Sequence, residues 1–93
     1  MMKMVQETKP RILTPAACRG ARGLLAWSQS DLAERAEVSR STIKDYETGA
    51  HDLHRASATL VRRAFEDGGV TFLEVEGLGV GLFLTTPGGA PRN

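Results

Sequence analysis

Ninety-three residues, 41% of them hydrophobic and 25% charged, describe a single small domain of ordinary globular composition, since folded domains run ~50–250 residues. The lone cysteine, Cys18, excludes an internal disulfide and a cysteine-based zinc site, and no apolar run approaches the ~20 residues of a bilayer span. The formal charge is only +1, and Met1-Met2-Lys3-Met4-Val5-Gln6-Glu7 lacks the continuous apolar stretch of a signal peptide, so a cytoplasmic chain held by its core alone is expected.

A domain of this size has little core to spare for a deep pocket, and no nucleophile–base pattern or P-loop is present, so binding rather than catalysis is expected. Gly77-Leu78-Gly79-Val80-Gly81 lacks the dinucleotide-binding spacing and reads as a turn between strands. His51 and His54 stand three apart, but only Asp52 is near them as a third ligand, so neither metal nor cofactor is expected.

Residues 1–13 are polar and basic and contain Pro10, reading as a flexible N-terminal arm. Thr14-Pro15 is a helix start, with Thr14 as N-cap and Pro15 where a missing N–H costs nothing. The helix from Pro15 to about Leu25 stacks Cys18, Ala21, Leu24 and Leu25 on one face, with Cys18 as a small buried hydrophobe. Gly20 and Gly23 inside it each cost ~0.5–1 kcal/mol against alanine, so packing must hold it. Ser28 caps a second helix over Gln29 to Ala36, with Asp31 as capping-box partner and Trp27 and Leu32 spaced as a hydrophobic staple. Trp27 reads as a core anchor. Ser39 caps a third helix, Arg40 to about Glu47, with Val38 and Ile43 as its staple. Only Glu37 and Val38 separate these two helices before the cap, so they cross steeply, as in a helix-turn-helix.

A fourth helix is predicted from about Leu53 to Asp67, capped by Asp52 and ended by Gly68-Gly69. Its stripe is Leu53, Ala56, Leu60 and Ala64, widened by Val61 and Phe65. Val70–Val75 and Val80–Leu84 are β-rich runs around a glycine turn and read as a hairpin. Residues 85–93 form a Pro/Gly-rich tail, expected to be disordered. The domain proper is thus 14–84, a mainly α fold of four helices followed by a C-terminal β-hairpin.

Ser28-Gln29-x-x-Leu32-Ala33-x-x-Ala36-x-Val38-Ser39-x-x-Thr42-Ile43-x-x-Tyr46-Glu47-x-Gly49 resembles the helix-turn-helix of the Cro/CI-type (XRE) family of bacterial and phage DNA-binding regulators. The likeness covers about Thr14 to Gly49 and, more loosely, the fourth helix; the hairpin is not part of the usual family core. The resemblance implies that Gln29 contacts phosphate and braces the recognition helix. It also implies that Ser39, Arg40, Ser41, Lys44 and Asp45 lie at the surface that enters the major groove. Arg22 and Glu47 match a family ion pair between the first and third helices. Leu32, Ala33, Ala36, Val38 and Ile43 match core positions, with Ala33 small because two helices meet there. By its own chemistry, Arg40 can bond guanine O6 and N7 together, for ~1–3 kcal/mol of discrimination. Lys44 can reach guanine or phosphate. Asp45 can accept from cytosine N4 or repel phosphate.

The chain departs from the family in two respects. Glu37 replaces the glycine usual in the turn, where a left-handed backbone costs another residue ~1–2 kcal/mol. Residues 28–49 carry a net charge of −2, while the basic excess, +4, lies in residues 1–27. Two readings follow. The first is a small transcriptional regulator, a homodimer on a roughly palindromic DNA operator, with Phe72, Leu73, Val75, Val80, Leu82 and Phe83 of the hairpin as the interface. The alternative is an antiactivator-type module that keeps the scaffold and sequesters a transcriptional activator protein through that surface without binding DNA. No membrane partner is expected.

Overall fold

The computed structural model describes residues 13–85; the expected arm and tail, apart from Leu13 and Thr85, lie outside the described residues. Four helices lead into one antiparallel hairpin: α1 (Pro15–Leu25), α2 (Gln29–Ala36), α3 (Arg40–Thr48), α4 (Arg55–Gly68), β1 (Val70–Val75) and β2 (Gly79–Leu84). The mainly helical fold class is as expected.

The first three helices begin at their predicted caps. Thr14 Oγ1 accepts the Ala17 N–H at 3.0 Å, and Pro15 opens α1. Ser28 and Asp31 close a full capping box, each side chain accepting the other's backbone N–H at 2.9 Å. Ser39 Oγ accepts the Thr42 N–H at 3.0 Å. The fourth helix departs from expectation. It begins two residues late, after His54, with no side-chain cap, so Asp52 does not cap it.

Leu32, Ala33, Ala36, Ile43, Val61, Phe65 and Val70 form the centre of one core, joined by Cys18 and Ala21 from α1. Helix α4 turns Val61, Ala64 and Phe65 into it. Ala56 and Leu60, two of the four residues of the expected stripe, are exposed. Phe65 is held from two sides: Trp27 stacks on it at 5.9 Å between centroids, and Phe72 of β1 tilts against it at 6.1 Å. That places α4 one residue around from the stripe the apolar pattern favours. Leu24 of α1 is also exposed, whereas Ala17 replaces it on the buried face.

The hairpin pairs Val70 with Leu84, Phe72 with Leu82 and Glu74 with Val80, so Val70, Phe72 and Leu82 share the face laid on the helices. Strand β1 packs on α4 and β2 on α1. Gly20 is explained here. A Cβ at that position would sit 2.9 Å from Leu82 Cδ1, so the glycine that weakens α1 gives the Leu82 side chain room against the helix.

Candidate nucleic-acid interface

Helices α2 and α3 meet through a turn whose Glu37 adopts the left-handed conformation, φ 62° and ψ 41°. Its N–H caps α2 through the carbonyls of Ala33 and Glu34. Ala26 ends α1 in the same way, at φ 57°. The turn directs α3 so that Ile43 and Tyr46 are buried while Ser39, Arg40, Ser41 and Lys44 are exposed. Arg40 and Lys44 stand one helical turn apart on the same edge. Ser39 Oγ lies 3.2 Å from Ser41 Oγ and 2.7 Å from Thr42 Oγ1, a small hydroxyl cluster at the N-terminus of α3. Asp45 is half-buried rather than fully outward. Its backbone carbonyl accepts the N–H groups of Ala50 at 2.8 Å and His51 at 3.2 Å, closing the helix end.

The same C-terminal end of α3 is locked from beneath. Glu47 is only 4% exposed, and its carboxylate is the centre of a network. Arg22 binds it in bidentate fashion, Nε to Oε2 and Nη2 to Oε1, both at 2.8 Å. Gln29 Nε2 donates to Oε1 at 3.1 Å and the Cys18 thiol to Oε2 at 3.0 Å. Arg19 donates to the Glu47 backbone carbonyl at 2.6 Å, and Arg22 Nη1 reaches the Trp27 carbonyl at 3.1 Å. Burial alone would raise the Glu47 carboxyl, but the hydrogen bonds from Arg22, Cys18 and Gln29, with the Arg22 charge, hold it below its ordinary value. Those bonds raise Arg22 in turn. Burial first, and then the Glu47 carboxylate, push the Cys18 thiol far above the ordinary thiol range.

The structure therefore brings Arg22, Gln29 and Glu47 together beneath α3 and places Ser39, Arg40, Ser41 and Lys44 on its open side. Cys18 and Arg19 also belong to this brace, and the sequence reading did not assign them to it. The available signal was the four-residue step from Cys18 to Arg22 along α1, which puts the thiol beside the guanidinium that holds Glu47. The hairpin residues divide: Phe72 and Leu82 turn inward to the core, while Leu73, Val75, Val80 and Phe83 are exposed. Among the described residues no group of three His, Cys, Asp or Glu side chains is placed to hold a metal ion, and no helix is long and apolar enough to cross a membrane.

Residues 16–66, more than half of the chain, match the family model described as a helix-turn-helix domain, and the chain belongs to that family. The four helices and the matched residues are consistent with the XRE/Cro-type resemblance carried by the sequence. No curated protein matches the chain.

Proposed function

We propose that the protein is a DNA-binding transcriptional regulator that reads the major groove through α3 and acts as a homodimer on a roughly palindromic operator. The observation that carries this reading is the seating of α3 by the Glu47 network while Arg40, Ser41 and Lys44 are exposed on its other side. A helix that reads base edges must hold its side chains in fixed register, and a buried bidentate ion pair provides that. Arg40 reads guanine, Lys44 guanine or phosphate, and the small Ser41 lets the helix approach the groove floor. Gln29, at the start of α2, gives one N–H of its amide to Glu47 and has the second N–H for phosphate. Two copies place their α3 helices ~34 Å apart, in successive major grooves.

Mobility shift against a mixed duplex pool, at ~50 mM and then ~200 mM salt, tests the reading, because phosphate contacts weaken steeply over that interval. Competitor-resistant binding is expected. Arg40→Ala relaxes sequence preference by ~1–3 kcal/mol at one position, and Gln29→Ala weakens all sites together. No binding at low salt sinks the regulator reading. It would favour the activator-sequestering alternative, which draws its support from the net acidic α2–α3 segment and the apolar hairpin.

A further inference from the structure

A phenol in a core brings a polar atom that must find a partner, because burying an unbonded hydroxyl costs free energy. Tyr46, in the C-terminal half of α3, is 6% exposed, and its hydroxyl donates to the Leu13 carbonyl at 3.0 Å, 33 residues back in the chain. Leu13 stands just before the α1 cap, and its place is secured twice more. Its side chain packs against the core, and the next residue, Thr14, accepts the Ala17 N–H through Oγ1 and the Cys18 N–H through its carbonyl. The point at which the chain enters the fold is thereby fixed to the buried side of α3, the helix whose open side presents Arg40 and Lys44.

What precedes that point in the sequence is basic. Lys3, Lys9 and Arg11 stand there against Glu7, whereas residues 13–85 contain eight Lys and Arg against ten Asp and Glu. Arg11 is two residues from Leu13 and Lys9 four, so the backbone between them spans at most ~7 and ~14 Å whatever its path. An α-helix with its side chains is ~10–12 Å across, so both charges stay within reach of a duplex that α3 enters. We infer that Tyr46 is a positioning residue for DNA binding: its hydroxyl holds the root of the basic N-terminal segment against α3, so that the segment's phosphate contacts and the base contacts of α3 fall on the same stretch of duplex. The inference rests on the regulator reading above and adds to it a link between the part that holds DNA and the part that reads it. A phenylalanine fills the same core site without the bond to Leu13. The segment then hangs on a longer and looser tether, and the effective concentration of its charges at the duplex falls.

Two measurements on the full chain test this, both with Tyr46→Phe. Native-state trypsin cleavage after Arg11 is expected to quicken about fivefold, the factor that one hydrogen bond of ordinary strength represents, because cutting there requires Leu13 to come away from the fold. Affinity for DNA, by mobility shift at ~50 mM salt, is expected to weaken by a similar factor while the preference conferred by Arg40 is kept. The decisive comparison repeats the substitution in a chain whose Lys3, Lys9 and Arg11 are replaced by glutamine. There Tyr46→Phe changes affinity less than about twofold, as coupled residues do in a double-mutant cycle. A general loss of fold stability would weaken both backgrounds alike. Equal losses in the two backgrounds, or an unchanged cleavage rate, overturn the inference and leave the regulator reading standing. A wild type that binds no DNA at low salt removes the regulator reading and the positioning role with it.

Discussion

A carboxylate that is 4% exposed survives in a chain this small only because nearly every direction around it supplies a donor, and Glu47 is that residue. Its side chain takes two bonds from Arg22 and one each from Gln29 and Cys18. Removing the charge while keeping the shape, Glu47→Gln, leaves Arg22 without its carboxylate and is expected to cost about 2 kcal/mol at neutral pH. The sign of the pH dependence follows from the depressed Glu47 pKa. The folded state holds the proton off more strongly than the unfolded chain, whose glutamates titrate near ~4.3, so the stability is present above that value and is lost as pH falls below it. Asp31, lowered by the backbone hydrogen bond from Ser28, adds to the same trend. Urea midpoints measured across the acid range should therefore fall more steeply for the wild type than for Glu47→Gln, and the two curves should approach each other in strong acid. Parallel curves would mean that folding leaves the Glu47 pKa unshifted.

Each of the first three helices announces its start in a few adjacent residues, and for that reason these elements were legible. Thr14-Pro15, Ser28 with Asp31, and Ser39 satisfy orphan N–H groups within one turn, an interaction that depends on no other part of the fold. Helix α4 was less legible because its orientation is decided at a distance. Two apolar stripes one residue apart run along it, and only Trp27 and Phe72, from α1's exit and from β1, choose the one bearing Phe65. The role of Gly20 was hidden for the same reason: its local cost is visible in the sequence, while Leu82, the side chain beside it, lies 62 residues on. The Arg22–Glu47 pair could be read from family resemblance and Cys18 from its four-residue step to Arg22, but Arg19 joined them through a packing of α1 on α3 that no local pattern encodes. At the α2–α3 turn, the departure noted in the sequence has its expected form, since Glu37 does take the left-handed backbone. Glu37→Gly relieves that conformation and is expected to stabilise the fold by about 1 kcal/mol, raising Tm by ~4–8 °C in thermal unfolding followed by circular dichroism. An unchanged or lower Tm would show that the turn is held without strain.

At the scale of the molecule the charge distribution is unusual for a protein proposed to hold a polyanion. Residues 13–85 contain eight Lys and Arg against ten Asp and Glu, whereas residues 1–12 contain Lys3, Lys9 and Arg11 against Glu7. The basic side chains of the body are also partly committed: Arg19 and Arg22 hold Glu47, Arg35 lies over the Trp27 ring at 4.5 Å, and Arg62 pairs with Glu66 at 3.1 Å. Arg40, Lys44, Arg55 and Arg63 remain for phosphate or bases, a small complement when counterion release dominates non-specific affinity. The residues before α1 must then supply a substantial share of the phosphate contacts if DNA is bound at all. Replacing Lys3, Lys9 and Arg11 together by glutamine tests this, because the slope of log K against log salt falls by about 0.9 for each phosphate contact removed. The triple variant is expected to bind more weakly at every site with a slope lower by up to about 3, while keeping the sequence preference that Arg40 confers. An unchanged slope would place all phosphate contacts on a body of net negative charge. Arg40→Ala should do the reverse, relaxing preference with little change in slope, and the two variants together separate holding DNA from reading it.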